Sequence, residues 1–424
     1  MAHDTATHTP TLPRAVPFVF ATCTAVSVLS TDIITPSIPD LPGAFDTSIN
    51  TAQLVVSVNL AAYALAQLVH GPVADSIGRK RLLIVAFMAF AMVSLGCATA
   101  TTMNGLLVGR FAQGLLSSVP SVVIVLMIRE LYAPRQALRV MTLYGAALGL
   151  APAVGPLLGG YLHVWFGWWA GFVFIAGLAL LASGLLWLLV PESLEVRAPL
   201  NARAVGRAYR ALLGNRRFLA LTLGTSLCFG ALYAYVTAAP SVYIDLIGLK
   251  TQQYGLTHLV IVISFILGNL SAAALSRRFD SARILRGGAI AMIIAAVLLL
   301  GPVWAGRLSV AQVLAPMMIY AAALAIVLAA GPLVTLNAAR NQPQGPAAAL
   351  LGSMQLAMGA VAGYLSARFY DGTPLPMAMV VAGAKLPGSP VLFQTVAYAV
   401  LGLFWVLPAG LIVTWMARPD KKRP

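Results

Sequence analysis

The sequence predicts an all-α integral membrane protein with twelve transmembrane helices in two pseudo-symmetric six-helix bundles. Three observations predict this fold. Of the 424 residues, 60% are hydrophobic and 9% are charged, whereas roughly a quarter of the residues of a soluble domain are charged. The apolar residues form runs of about 20, the length of a helix that crosses a bilayer core. The second half of the chain also repeats the pattern of the first.

The apolar runs and the turn residues between them predict the spans in order. In the first half they lie at 16–38, 51–70, 82–100, 105–128, 138–161 and 168–190. In the second half they lie at 217–239, 254–276, 285–304, 310–335, 345–367 and 391–416. The predicted regions are an N-terminal tail (1–15), an N-terminal bundle (16–190), a basic linker (191–216), a C-terminal bundle (217–416) and a basic tail (417–424).

The basic residues alternate between loops. With Arg110 set aside as intramembrane and residues at span ends counted with the adjacent loop, 22 of the other 26 Lys and Arg residues fall in alternate loops, and the remaining four are Lys250, Arg307, Arg368 and Lys385. Because cytoplasmic loops carry the excess of Lys and Arg, we expect both termini to be cytoplasmic. The net charge of +15 is scattered, which argues against a nucleic-acid partner. The linker is predicted to form a short helix on the lipid surface.

The two halves are related at an offset of about 204 residues. Pro36-Ser37-Ile38 aligns with Pro240-Ser241-Val242, and the Gly155 and Gly159 pair aligns with Gly359 and Gly363. These matches in one register indicate a duplicated six-helix unit, an arrangement in which two bundles rock about a site at the bilayer midplane.

Composition gives little support for a metal site or an enzyme. Cys23, Cys97 and Cys228 lie in apolar runs without the spacing of a metal site or a disulfide framework. His70 and His258 lie near span ends without metal-ligand spacing, and neither is assigned a role. No H-E-x-x-H motif is present. We therefore expect no metal, no cofactor and no enzymatic activity, and an integral-membrane transferase is the least favoured alternative.

Asp32 and Arg110 are the clearest ionisable residues inside predicted spans. A charge there costs roughly 2.5 to 3.5 kcal/mol on insertion scales, so it indicates a function. Asp32 precedes Pro36, which frees backbone carbonyls and bends the helix toward a cavity. A proton carrier is one interpretation, and a hydrated position at the outer interface is the alternative. Arg110 either lies in the interior or extends its side chain to the interface.

The stretch GPVADSIGRKRLL, from Gly71 to Leu83, is predicted to be a tight cytoplasmic turn between the second and third spans. Gly71 and Gly78 are expected to bracket this turn, and Asp75 to cap a helix. The alternative is an ordinary basic loop. The pattern G-x-x-x-D-x-x-G-R-K resembles the loop signature of the major facilitator superfamily, and its matching residues are Gly71, Asp75, Gly78, Arg79 and Lys80. Glu130 is positioned to pair with Arg79, which predicts a cytoplasmic gate.

Two further segments carry the same resemblance. Arg110, Gln113 and Gly114 match the R-x-x-Q-G signature of the fourth helix, in which the arginine is associated with proton coupling. The segment G-P-x-x-G-G, with Gly155, Pro156, Gly159 and Gly160, resembles a motif associated with exporters, although Thr142 and Ala151 stand where the fuller pattern has glycine. Close helix packing is the alternative interpretation of these glycines.

The seventh and eleventh spans resemble the bicyclomycin and chloramphenicol exporter branch. The resemblance implies proton-coupled efflux of small, largely apolar drugs or metabolites across the bacterial inner membrane, by a monomer that the proton gradient drives. An importer or an exporter of one metabolite is the alternative. Thr24 replaces a second acid found in some related exporters, so coupling is expected to depend on Asp32. The residues predicted to line the substrate cavity are Thr31, Asn59, Tyr63, Tyr235 and Gln355.

Overall fold

A computed structural model describes residues 13–194, 197, 199–304 and 309–382. The first half contains α1 (Val16–Asp32), α2 (Leu41–Phe45), α3 (Ile49–Ile77), α4 (Arg79–Ala98), α5 (Met103–Leu131), α6 (Pro134–Phe166) and α7 (Ala170–Leu189). Then come α8 (Ala202–Gly214), α9 (Arg216–Pro240), α10 (Thr251–Leu275), α11 (Ser281–Trp304), α12 (Val310–Ala338), α13 (Gln344–Arg368) and α14 (Leu375–Ala382).

The predicted spans agree with these helices to within several residues. Within the described ranges, eleven helices are long and apolar enough to cross a membrane, so the chain is a multi-pass membrane protein. The twelfth predicted span, 391–416, and the tail at 417–424 lie outside the described residues, as do residues 1–12. Helix α14 lies in the segment predicted to be a loop between the last two spans, and the prediction was wrong there.

The two halves meet along two seams, in which α3 packs against α13 and α6 against α10. Inside each half, equivalent helices also pack together: α6 lies on α1, and α13 lies on α9. The aligned glycines allow both approaches. A Cβ at Gly155 would lie 3.2 Å from Asp32 Cβ, and one at Gly359 would lie 3.3 Å from the Tyr233 ring. The duplication in the sequence therefore corresponds to repeated packing.

Prolines interrupt the first span of each half at the same place. After α1 the chain continues as a 3₁₀ segment, Thr35–Asp40, that contains Pro36. After Pro240, which ends α9, it continues as a π-helical segment, Ser241–Leu246. A proline has no backbone N–H and therefore leaves a carbonyl one turn earlier without its usual donor. Both interruptions lie at the end of the bundles away from the Gly78 turn. We call the end that contains Gly78 the basic end, and the other end the opposite end.

The turn at the basic end is shorter than predicted. Helix α3 continues through Gly71 and Pro72 to Ile77, and the connection to α4 is Gly78 alone, with a φ of +101°. The prediction that Gly71 brackets the turn was wrong. Pro72 deprives the Leu68 carbonyl of its helical donor, and the Tyr209 hydroxyl of α8 donates to that carbonyl at 2.7 Å. Helix α8 is the helix that was predicted in the linker. Its position on the lipid surface stays a prediction.

Gly114 provides a test of the packing of α5 on α3. A Cβ at Gly114 would overlap the backbone carbonyl of Asn59, whereas Gly177 on α7 has nothing within 4 Å. Because backbone atoms cannot move aside as a flexible side chain can, we expect Gly114→Ala to destabilise the protein by about 1–3 kcal/mol. Gly177→Ala serves as the matched control and is expected to be neutral or slightly stabilising. Thermal unfolding of the purified variants in detergent measures both, and equal midpoints would contradict this packing.

Candidate functional site

Asp32 is the last residue of α1, and its side chain is buried in the interior, 4% exposed. This excludes the hydrated position at the outer interface. Its backbone carbonyl accepts a hydrogen bond from the Thr35 hydroxyl at 2.7 Å, because Pro36 cannot supply the usual N–H. Among the described residues, none donates a hydrogen bond to its carboxylate. The structure therefore presents a buried carboxyl group that is available to a proton or a ligand.

Arg110 is fully buried on α5 and caps the end of α1. Its Nη1 donates to the Ser30 carbonyl at 2.7 Å and to Gln113 Oε1 at 2.9 Å. Nη2 donates to the Thr31 carbonyl at 3.3 Å, and Nε to the Val55 carbonyl of α3 at 3.0 Å. In the described part of the chain, no carboxylate lies within ion-pair distance of Arg110. Its charge is thus held by carbonyl dipoles next to Asp32, and the interfacial position is excluded.

A second layer of polar side chains holds Arg110 in place. Gln113 Nε2 donates to Ser94 Oγ of α4 at 2.7 Å. Asn59 Nδ2 donates to the Arg110 carbonyl at 3.0 Å, and Asn59 Oδ1 accepts from Thr31 Oγ1 at 3.1 Å. Buried polar groups that satisfy one another in this way fix a single geometry. The network therefore connects α1, α3, α4 and α5 around the residue that precedes Asp32.

A cavity of about 760 Å³ lies between the two bundles, with Asp32 in its wall. Helices α1, α3 and α6 line one side, and α9, α10, α12 and α13 line the other. Most of its lining is apolar, and among the described lining residues Asp32 is the single carboxylate. Such a cavity suits a small apolar molecule with few polar groups.

The cavity is closed at the opposite end and extends toward the basic end. At the closed end, Asn50 Nδ2 donates to the carbonyls of Ala367 and Tyr370, at 2.8 and 3.0 Å. There α6 and α10 also touch: a Cβ at Gly160 would lie 3.0 Å from the Thr251 carbonyl. From there the cavity lining continues along both helices to Tyr144 and Leu270. A molecule would therefore reach the cavity from the basic end.

The glycine-proline motif of α6 serves two interfaces. Gly155 and Gly159 face α1, because a Cβ at either position would meet Asp32 or the Ile33 backbone. Gly160 faces α10, and the Pro156 carbonyl lies 3.2 Å from the position of a Cβ at Gly255. The same short segment of α6 therefore contacts both the buried carboxyl group and the other bundle.

At the basic end, Arg79 forms ion pairs with two acids. Its Nη2 binds Asp75 at 3.0 Å, and its Nη1 contacts Glu130 of α5. The predicted pair with Glu130 is therefore present. The predicted cap is wrong, because Gly78 occupies the N-cap of α4 and Asp75 lies in the last turn of α3, one turn before Arg79. These groups all belong to the N-terminal bundle, and the pair is formed in a structure whose cavity extends toward this end.

Glu192, which follows α7, supplies the acceptors that the start of α4 needs. Its carboxylate accepts from the backbone N–H groups of Arg79 at 3.1 Å and Lys80 at 3.2 Å. It also accepts from Ser193 N at 3.0 Å and Leu194 N at 3.3 Å. A carboxylate at a helix N-terminus also interacts favourably with the helix dipole. Lys80 Nζ donates to the Trp187 carbonyl at 2.9 Å. The start of the linker is thus tied to α4.

Comparisons with known proteins agree with this architecture. The family model described as Major Facilitator Superfamily matches residues 20–363. The chain belongs to the major facilitator superfamily. The D-xylose-proton symporter structure has a TM-score of 0.72, is 17% identical and covers 96% of this chain and 98% of its own. A bacterial homolog of the lysosomal transporter Spinster, in an inward-facing and unoccupied conformation, has a TM-score of 0.70 at 15% identity, with 95% and 96% coverage.

Relatives of this facilitator carry names from drug resistance. The bicyclomycin resistance protein homolog of Haemophilus influenzae is 28% identical over 87% of this chain and 91% of its own length. The chloramphenicol resistance protein of Pseudomonas aeruginosa is 28% identical over 72% of each chain. These matches confirm the predicted resemblance to the bicyclomycin and chloramphenicol branch. A second family model, for a protein of unknown function, matches residues 375–419.

The prediction of which residues line the cavity was partly wrong. Thr31, Tyr63 and Tyr235 line the cavity as predicted. Asn59 and Gln355 are absent from the lining. Asn59 is turned away from the cavity because its side-chain amide binds both the Arg110 carbonyl and the Thr31 hydroxyl. On α13 the neighbouring residue, Leu356, faces the cavity instead, since one residue turns a helix face by about 100°.

Sequence reasoning missed Glu192 and His258. His258 lines the cavity and is packed among tyrosines. Tyr254 and His258 lie four residues apart on α10, a spacing that places two polar rings on one helix face. For Glu192, the signal was an acid directly after an apolar span, beside a basic turn. Neither signal identifies the partner without the fold.

Glu192 gives a test at the basic end. The neutral amide of Glu192→Gln keeps the size of the side chain but weakens bonds that a charged acceptor makes about twice as strong. We expect this weakening to make local opening of the linker easier by about 1.4 kcal/mol. Trypsin should then cut after Arg197 or Arg203 about tenfold faster. Asp280→Asn is the matched control, because Asp280 lies in the corresponding C-terminal turn and is 3.9 Å from Arg283. Unchanged cleavage would show that Glu192 does not hold the linker.

Proposed function

We propose that this facilitator exports small, largely apolar drugs or metabolites across the bacterial inner membrane in exchange for protons. The observation that carries the proposal is the mostly apolar cavity of about 760 Å³ with one buried carboxylate, Asp32, in its wall. An apolar wall selects molecules that partition out of water. A buried carboxyl group gains or loses a proton according to what lies next to it. These two properties together are what a drug:proton antiporter requires.

The direction of transport follows from the relatives and from the motif on α6. The names of the relatives describe resistance to bicyclomycin and chloramphenicol, and a transporter confers resistance by removing the drug from the cell. The segment from Gly155 to Gly160, which resembles the exporter motif, lies between Asp32 and α10. Export is therefore favoured over import on this fold.

In the proposed mechanism, Asp32 carries the proton and Arg110 sets its surroundings. Arg110 is fixed by four hydrogen bonds and provides a constant positive charge beside Asp32. The substrate competes with the proton by occupying the same cavity wall. When the bundles rock, the cavity is exposed to one side and then to the other, and a ligand shifts this equilibrium only by its differential affinity for the two states.

The remaining assignments belong to the same proposal. The basic end is cytoplasmic, because Lys and Arg concentrate there. At this end Arg79 binds Asp75 and Glu130 within the N-terminal bundle while the cavity extends toward them, so we assign these ion pairs the bracing of that bundle and not the closure of the cavity. The protein acts as a monomer, α8 lies on membrane lipids, and the proton gradient supplies the energy without a cofactor.

Drug susceptibility tests the direction and the substrate class. We expect an efflux-deficient bacterial host that expresses this chain to become several-fold more resistant to chloramphenicol or bicyclomycin and to accumulate less radiolabelled drug. Dissipating the proton gradient with an uncoupler is expected to abolish the difference in accumulation. Greater accumulation in expressing cells would instead indicate an importer.

Proton release tests the role of Asp32. The variant Asp32→Asn fixes a neutral side chain of nearly equal size, so we expect it to lose drug-driven proton release and active export. Binding of an uncharged drug to the purified variant is expected to remain. Asp280→Asn, on the exposed turn of the C-terminal bundle, is the control and should behave as wild type. A pH-sensitive dye in weakly buffered detergent solution measures the release. Wild-type release from Asp32→Asn would identify another group as the carrier.

A further inference from the structure

Four aromatic side chains of the C-terminal bundle pack together beside the cavity. This tyrosine-histidine cluster consists of Tyr235 on α9, Tyr243 on the π-helical segment, and Tyr254 and His258 on α10. The imidazole of His258 stacks on Tyr235 with ring centroids 6.1 Å apart and an interplanar angle of 24°. It meets Tyr254 edge-on at 4.8 Å. All four side chains are buried, and Tyr235 and His258 line the cavity.

The hydrogen bonding of His258 is incomplete. Its Nε2 lies 3.4 Å from the Tyr254 hydroxyl, which is longer than the usual range of about 2.7–3.2 Å. Its Nδ1 is buried and has no hydrogen-bond partner among the described residues. Buried polar groups in proteins are nearly always paired, so each exception requires an explanation. Because His258 lines the cavity, a molecule that enters the cavity would supply the missing hydrogen-bond partner.

The cluster is also connected to the proton site of the other bundle. Helix α10, which carries Tyr254 and His258, packs against the 3₁₀ segment that follows Asp32. Asp32 and His258 line the same cavity from the two bundles. A group bound at His258 would therefore share the cavity with the residue that is proposed to carry the proton.

We infer that His258 binds the hydrogen-bonding group of uncharged aromatic substrates, and that it thereby determines which drugs this facilitator accepts. The inference rests on the proposed function. A neutral imidazole can donate or accept a hydrogen bond, according to its tautomer, so it suits amide, carbonyl and hydroxyl groups. The stacked rings of Tyr235 and His258, with Phe229 and Phe265 in the same lining, offer flat apolar surfaces to an aromatic ring. Within the described lining, Asp32 alone would attract a cation.

Two aromatic probes separate this role from plain packing. Chloramphenicol is an uncharged aromatic amide, and tetraphenylphosphonium is an aromatic cation without a hydrogen-bonding group. The variant His258→Phe keeps a planar ring but removes both nitrogens. We expect it to bind chloramphenicol about tenfold more weakly, the effect of losing one hydrogen bond. Binding of tetraphenylphosphonium is expected to stay within twofold of wild type, and His258→Gln is expected to restore part of the chloramphenicol affinity.

His70→Phe provides the matched control. His70 lies on α3, its Nδ1 is 2.7 Å from the Ser118 hydroxyl, and it is absent from the cavity lining. Equilibrium binding to purified protein is the measurement, so the result does not depend on export or proton coupling. Equal loss for both probes would assign His258 a structural role and overturn the inference, as would unchanged chloramphenicol binding. Selective loss in a protein that fails the export experiment would support the subsite and contradict the proposed function.

Discussion

The site depends on one interaction, the capping of α1 by a buried arginine. Pro36 ends the helix in the interior, where its free carbonyls have no water to bind and an unsatisfied polar group is costly. Arg110 donates to the Ser30 and Thr31 carbonyls, and Thr35 donates to that of Asp32. The same bonds offset the cost of burying the guanidinium. Asp32 is consequently held at a helix end, and no described residue of its own bundle donates a hydrogen bond to its carboxylate.

The two halves share this break in the helix but not its chemistry. Pro240 interrupts α9 as Pro36 interrupts the first span. On α12, however, the residue at the same distance from the helix N-cap as Arg110 on α5 is Met317, which is buried in the apolar core. The C-terminal bundle instead brings tyrosines and His258 to the cavity. Duplication thus supplied the scaffold, while the charged half and the hydrogen-bonding aromatic half diverged to face each other.

The sequence predicted the spans, their repeat and the buried pair of Asp32 and Arg110, because length, apolarity and isolated charges are local properties. It could not predict which way each polar residue faces. Asn59 and Tyr63 lie one turn apart on α3, yet only Tyr63 lines the cavity. Rotation of a helix about its axis is set by its neighbours, and apolar residues on all sides leave no periodic signal. Glu192 escaped notice for a different reason, because its partners at the start of α4 lie more than a hundred residues earlier in the chain.

Helix α6 connects the closure of the opposite end to the buried carboxyl group of Asp32. One face of its glycine-proline segment contacts Asp32 and Ile33, and the other contacts Thr251 and Gly255 of the C-terminal bundle. Close-packed interfaces have discrete arrangements and do not deform continuously. If the bundles separate at the opposite end, α10 must leave α6, and α6 then loses the support on one side that presses it against α1. A change at the seam therefore alters the packing around Asp32 through a single helix, without requiring Arg110 to move.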